Sequence, residues 1–452
     1  MIAIVLVAIL LLLGALLRSK LAWLDRARIP ASVIAGVVGC VVAQAFLLAG
    51  GETIDAGVQS VLTTFRSWSG PLISIVFAGL LLAPSDRVVH RSRDVWQQGI
   101  TAWIIILGQL ALGLFATALL IKPFYDVPGP FGQFIEVTMA GGFGSANSMA
   151  TILESSAYGF APARDLLVFG ATAGLLWGVV SGLYLAHFGQ KRGWTSSSSE
   201  ENQIAPLAPT RETSETSRVA LEPILLQSCF LAIAFGIGLL MQWSVGWLSI
   251  RLDQLFHSDA HRFERHLGDL PLFFFALLGG WIVYATLRAV NRVDLLDRDL
   301  IHRLCGIAMD VLIVTSLAAI AFNQIRTYLW PVLLLLALGA IWSAFCLVWL
   351  SPRLLPRRYW FELGLINYGF STAATAQGMM FLKLVDPKLK SGAAETYALG
   401  APLTAPFIGG GVITFAVLPP LLVGTGLIPV GMAASVLVVV LFFVGQRVAR
   451  KG

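Results

Sequence analysis

Apolar runs near the length needed to cross a bilayer, about 20 residues, recur along the chain between short polar stretches. In the first half they are Ile2 to Leu17, Ile29 to Ala49, Trp68 to Ala83, Gly99 to Ile121 and Asp165 to Phe188. In the second half they are Val219 to Leu248, Leu270 to Leu287, Leu304 to Phe322, Tyr328 to Leu350 and Glu395 to Val423, with one further run at Val430 to Val444. Two stretches break the pattern. Glu136 to Gly159 reads EVTMAGGFGSANSMATILESSAYG, and in Phe361 to Leu384 Asn367-Tyr368-Gly369-Phe370-Ser371-Thr372 leads to Thr375 and Gln377. Glycine breaks free backbone groups, and at membrane depth such backbone survives only where protein buries it or a watery cavity receives it. In secondary transporters these interrupted segments are the usual substrate and ion sites.

The polar stretches alternate in charge. Arg18, Lys20, Arg26 and Arg28 follow the first run, Glu52 and Asp55 the second, and Arg87, Arg91 and Arg93 the third. Cytoplasmic loops carry the Lys/Arg excess, so the N-terminus is expected outside. The loop after Phe188, with Lys191, Arg192, Arg211 and Arg218, is expected inside, and only one crossing fits before it. The Glu136 to Gly159 segment must then enter and leave from the outer side as a re-entrant hairpin. Arg288, Arg292, Arg298 and Arg303, and then Arg353, Arg357 and Arg358, mark internal loops of a second half that starts inside. The same order with the opposite starting side is an inverted repeat, supported by similar openings at Ile29-Pro30 and Leu270-Pro271, each followed by glycines. The expected fold is an all-α integral membrane protein, an inverted-topology repeat of five transmembrane helices plus one re-entrant hairpin per half, with one extra C-terminal helix. The divisions are a first repeat over 1–193, a cytoplasmic linker over 194–218, a second repeat over 219–424, and a C-terminal helix with basic tail over 425–452. Arg447, Arg450 and Lys451 place that tail in the cytoplasm.

Composition agrees: of 452 residues, 57% are hydrophobic and 12% charged, against about 25% charged in soluble domains. Lipid is therefore the surrounding partner. The net charge of +6 is spread through the inter-run clusters, which reads as topology and not as a nucleic-acid surface. Cys40, Cys229, Cys305 and Cys346 all fall in apolar runs without a CxxC pair, so neither disulfides nor a transition-metal site is expected. Met1 to Leu17 lacks a basic leader region and cleavage site and is kept as a span. No GxxxxGK[ST] occurs, which argues against ATP-driven pumping, and no His, Cys and carboxylate cluster suggests an enzyme.

Candidate chemistry concentrates at the breaks. Gly142, Gly144, Ser145 and Asn147 on the first, with Ser371, Thr372 and Gln377 on the second, are the candidate substrate-binding residues. Ser148, Thr151 and Thr375 are candidate ion-coupling residues beside them. Hydroxyls, amides and freed N–H groups suit both sodium and a carboxylate-bearing solute, although small polar residues also let membrane helices pack closely. Asp310, inside GIAMDVLIVTSLAAIAF, is a fourth ion-coupling candidate, since intramembrane acids mark ion paths by default. A helix-end pair with Arg303 is its alternative. Glu154, Arg164 and Asp165 flank the first break; an arginine there suits a substrate carboxylate, or these charges rest at the interface with their heads in water. His257, His261 and His266 fit an amphipathic surface helix better than a metal site. No cofactor is expected beyond a coupling ion, Na+ or a proton. A secondary transporter for a small anionic solute is the leading reading, beside a proton-coupled or exchanging organic-anion carrier, and a channel or sensory module.

Ile29-Pro30 with its glycines, Ala140-Gly141-Gly142-Phe143-Gly144-Ser145-Ala146, Ala171-Thr172-Ala173-Gly174-Leu175 through Gly182, and Gly369 through Ala376 resemble the bacterial sodium/glutamate symporter family. The similarity extends over both halves to about Val423. It departs at Phe143, where the family carries histidine, and at Ser371 and Ala374, where glycine and proline are usual. The resemblance implies sodium-coupled uptake of an anionic amino acid across the bacterial inner membrane, an inverted-repeat fold, a homodimer and an elevator-like movement of the hairpin-bearing part.

Overall fold

The computed structural model describes residues 2–21, 29–49, 52–82, 93–195, 222–256, 272–372, 375–387, 390–404, 406–407 and 411–450. Residues 196–218 of the linker expected over 194–218, the histidine-bearing loop, Arg26, Arg28, Arg87, Arg91, Pro271 and Ala374 lie outside these residues. All described regular structure is helical. The first half runs α1 (Ile2–Lys20), α2 (Ala31–Ala49), α3 (Glu52–Leu82), α4 (Arg93–Ala116, extended by a π turn to Ile121), a broken segment containing α5 (Gly142–Leu153), and α6 (Ala163–Lys191). The second runs α7 (Pro223–Phe256), α8 (Leu272–Ala289), α9 (Arg298–Ala318), α10 (Leu329–Phe345), α11 (Trp360–Phe370), α12 (Thr375–Val385), α13 (Ala393–Gly400), α14 (Leu418–Thr425) and α15 (Leu427–Arg450).

Among the described residues nine helices are long and apolar enough to cross a membrane, and two shorter apolar helices occupy Ala31–Leu47 and Val412–Thr425. Their outer faces carry large apolar side chains, such as Val436, Val439, Val440 and Phe443 on α15 and Leu239, Leu240, Trp243 and Trp247 on α7. Exposed rows of this kind belong against lipid. With no hydrophobic drive between helices in a bilayer, close packing and internal hydrogen bonds hold the bundle together. α4, α6 and α10 form its polar-lined centre. Gln97, Gln98, Thr101 and Gln109 of α4 and Ser343 of α10 are buried, and each broken segment packs on these three helices.

Two spans differ from the pattern-based expectation. The third run lengthens to the 31 residues of α3, with Pro71 inside it, because the polar residues from Glu52 to Ser67 continue the helix beyond the apolar part. Glu395 to Val423 is not one crossing. It divides into α13, a 3-10 turn over Ala401–Thr404, a π turn over Val412–Val417 and α14. Gly411 takes φ +49°, left-handed backbone that a side chain resists, and Pro402, Pro406 and Pro419 remove N–H donors from a continuous ladder.

Candidate functional site

The first broken segment begins earlier than its glycines suggest. A 3-10 turn at Gly129–Gln133 and a π turn at Glu136–Ala140 form its leading leg, and α5 is the trailing one. Between them Gly142 has φ +65°, so the chain bends there without a side-chain penalty. Along the leading leg Gly132 sits against Leu114 of α4, Phe134 and Thr138 against Gly170 of α6, and Ile135 and Met139 against Gly339 of α10. Along α5, Gly144 rests on Met309 and Ile73, and Asn147 Oδ1 accepts a hydrogen bond from Ser316 of α9 at 2.8 Å.

The second broken segment is the pair α11 and α12. The two lie backbone against backbone where Gly369 meets Gly378, leaving no room for a Cβ on either. Its turn at Ser371–Thr372 enters the centre of the bundle. Gln109 Nε2 of α4 donates to Ser371 O at 2.9 Å, Ser343 Oγ of α10 donates to the same oxygen at 3.3 Å, and Gln377 Nε2 donates to Leu175 O of α6 at 2.8 Å. Thr372 and Gln377 fill the notch at Gly178 of α6. On α10, the residue that receives the first break, Gly339, lies four positions from Ser343, which receives the second. The two breaks thus meet about one helical turn apart.

The candidate residues fall into distinct roles. Ser148 and Thr151 donate to Gly144 O and Asn147 O, and Ser371 and Thr372 both donate to Tyr368 O. Each hydroxyl therefore tightens its own turn while its oxygen retains acceptor lone pairs. Ser145, 7% exposed, packs against Gly141. Gln377 Oε1 and Gln109 Oε1 are buried and have no partner. All polar groups at these two turns are uncharged hydroxyls, amides and backbone groups. The side chain of Thr375 lies outside the described residues.

Asn147 has a bracing role as well. Besides Ser316 it accepts from Arg164 Nη1 at 3.3 Å, and Arg164 Nη2 pairs with Glu154 at 2.7 Å. Neighbouring Asp165 pairs with Arg66 of α3 at 3.0 Å and accepts from the Ala321 N–H, while Arg66 also donates to Ala319 O at 2.8 Å. Arg164 and Asp165 are buried, not spread into water at an interface, because their charges are paired and their remaining atoms bonded. Asp310 is not brought to either break. It lies on the exposed side of α9 beside Met309 and makes no ion pair with Arg303 or another described residue.

Sequence reasoning passed over Gln98, Gln109 and Arg66. The two glutamines were visible as polar interruptions of the fourth apolar run. Gln98 exchanges both amide bonds with Asn367, at 2.7 and 2.9 Å, and so joins α4 to α11. Nothing local in the sequence pairs Arg66 with a residue 99 positions away. In comparisons with known proteins, the sequence model of a family described as "Sodium/glutamate symporter" matches residues 1–388. No curated protein and no solved structure matches.

Proposed function

The chain belongs to the sodium/glutamate symporter family, and from that premise we propose that it takes up glutamate or a related small anionic solute, coupled to sodium, at the meeting point of its two breaks. The family is one of transporters, so the chain is not an enzyme. One observation supports this reading of the site: the first break reaches Gly339 and the second Ser343, one turn apart on α10. Supporting a re-entrant reading, the leading leg passes from Leu114, near the end of α4, to Gly339 in mid-helix. α5 then passes from Met309 in mid-α9 toward Ser316 near its end. Two such hairpins entering from opposite sides make an inverted repeat, with the N-terminus outside and the C-terminus cytoplasmic in a bacterial inner membrane. The hairpin-bearing part moves as an elevator against a scaffold held in a homodimer.

The chemistry of the turns gives coupling a physical cause. A carboxylate entering a buried, uncharged site loses hydration that hydroxyls and amides replace only in part. A sodium ion held by oxygens such as those of Ser148 and Thr151 offsets that charge, so each ligand raises the affinity of the other by the same factor. The test is uptake of labelled glutamate and a dicarboxylate panel into proteoliposomes. Saturable, concentrative flux that requires an inward sodium gradient is expected. Uptake driven by a pH gradient alone, and abolished by Asp310→Asn, assigns coupling to a proton at Asp310 instead. Non-saturating flux indifferent to any ion gradient overturns the transporter reading in favour of a channel.

A further inference from the structure

A third polar cluster lies between the leading leg of the first break and the π turn before α14. Glu136 and Gln133 lie three positions apart on that leg, and both are buried, with 1% and 0% exposure. Thr414, also buried, faces them from the other half of the chain. Its hydroxyl lies 2.6 Å from Glu136 Oε1 and 3.0 Å from Phe407 O, while Gln133 Nε2 donates to Thr414 O at 2.9 Å. That last bond sets the amide orientation, since only its NH2 side can face a carbonyl. Gln133 Oε1 and Glu136 Oε2 are left buried with no partner.

Counting donors against acceptors exposes the imbalance. One hydroxyl proton serves both Glu136 Oε1 and Phe407 O, the Gln133 amide beside the acid is given to Thr414 O, and Gln133 Oε1 and Glu136 Oε2 have no partner within hydrogen-bond distance. Buried acceptors without donors are costly, and a buried carboxylate without a counter-charge more so. No described arginine or lysine supplies the charge. The π turn at Glu136–Ala140 packs on α4, α5 and α6 and, through Met139, on α10, which contains no titratable residue. α5 and the turn at Val412–Val417 contain no titratable residue. Arg93 and Asp94 open α4 about five turns before Gly113, and on α6 Arg164 and Asp165 are committed to the ion pairs above, while Tyr184, His187 and Lys191 occupy its far end. What such a cluster lacks is a small positive charge able to sit among oxygens.

We propose that Glu136, Gln133 and Thr414 form a binding site for one monovalent cation, for which sodium and a proton compete. The site rests on the reading of the chain as a cation-coupled carrier and is distinct from the oxygens of the two turns. A proton on Glu136 removes its charge and supplies a missing donor; sodium takes Glu136, Gln133 Oε1 and Thr414 Oγ1 as hard oxygen ligands. Because Gln133 and Glu136 stand on the first broken segment and Thr414 lies on a turn of the second half, occupancy ties the two halves together. Vacancy leaves a bare carboxylate between them.

Infrared difference spectra of the full chain in lipid nanodiscs, sodium minus choline at constant ionic strength and at several pH values, read this carboxyl directly. The expected result is a protonated-carboxyl band that sodium removes and that is absent from Glu136→Gln. The half-saturating sodium concentration should rise about tenfold for each pH unit lowered, because the ligand must give up its proton. Gln133→Leu and Thr414→Val keep the acid while removing one oxygen each, and should raise the half-saturating concentration about tenfold or more. They keep the test decisive if Glu136→Gln does not fold. A band that titrates with pH but ignores sodium assigns the site to the proton alone. Difference spectra that are the same in wild type and all three variants overturn the proposal. The resting protein is what is read, so the band and uptake are separable. A sodium-sensitive band without uptake of any solute overturns only the transport reading, and normal uptake without the band overturns only this site.

Discussion

Gly178→Ala tests whether the second break docks in α6 as tightly as its geometry implies. A Cβ at this position would lie 2.8 Å from Thr372 Cβ and 2.9 Å from Gln377 Oε1, and closer still to the Thr372 hydroxyl. That is about 0.7 Å short of ordinary carbon contact. Neither neighbour yields freely. Thr372 is stiff at χ1 and its hydroxyl is bonded to Tyr368 O at 2.9 Å, while Gln377 is held to Leu175 O. Overpacking of this kind costs about 1–3 kcal/mol, borne by the turn that is proposed to meet solute. The half-saturating glutamate concentration for sodium-driven uptake should therefore rise about tenfold to a hundredfold, and the unfolding temperature in detergent should fall. Gly236→Ala on α7 is the matched control, since a Cβ there meets nothing within 4 Å and relief of the glycine penalty alone favours the helix by about 0.5–1 kcal/mol. Identical half-saturation and melting for the two variants would show that the second break does not rest on α6 as described.

The remaining expectations follow from buried polar pairs and from sidedness. Arg66→Ala leaves Asp165 buried with only the Ala321 N–H and should destabilise the protein by about 3 kcal/mol; adding Asp165→Asn should restore much of that loss in thermal melts, and no restoration would mean the two do not interact. Gln98→Leu strands the Asn367 amide at a cost of about 1–3 kcal/mol, whereas Gln98→Leu with Asn367→Leu should melt nearer the wild type. Tyr359, in the loop between α10 and α11, donates to Asp94 at 2.6 Å. Burial first, and then Asp94, raise its phenol above the ordinary value of 10.0. The native state then holds that proton more tightly than the unfolded chain, so its contribution is complete below pH 10 and is lost as pH rises further. Alkaline melts should accordingly fall less steeply in Tyr359→Phe than in wild type. Single cysteines at Ser156 and Lys390, on a background lacking Cys40, Cys229, Cys305 and Cys346, should react with an impermeant reagent from outside and inside respectively; labelling from one side only rejects opposed hairpins.

Much of the architecture was legible because a bilayer imposes simple rules on sequence. Apolar length, basic clusters and the glycines at Gly141-Gly142 and Gly369 are local signals, and helices stand at nearly all the expected places. Gly-Gly-Phe-Gly-Ser marked the first break, where Gly142 takes a positive φ that a side chain resists. The run from Glu395 to Val423 misled because hydropathy averages over a window, while Gly411 and the prolines act one residue at a time. Partnership was not legible at all. That Arg66 serves Asp165, that Gln98 and Asn367 exchange two bonds, and that Thr414 faces Glu136 are facts of tertiary packing between residues 99 to 278 positions apart. Asp310 and Glu136 show the difference most plainly. The sequence marks Asp310 as the acid inside an apolar run and leaves Glu136 at the edge of one, yet folding turns Asp310 to the outer face of α9 and buries Glu136 among oxygens that lack a donor. Helix rotation and inter-half packing decide which carboxylate is desolvated, and neither is encoded in any short stretch of chain.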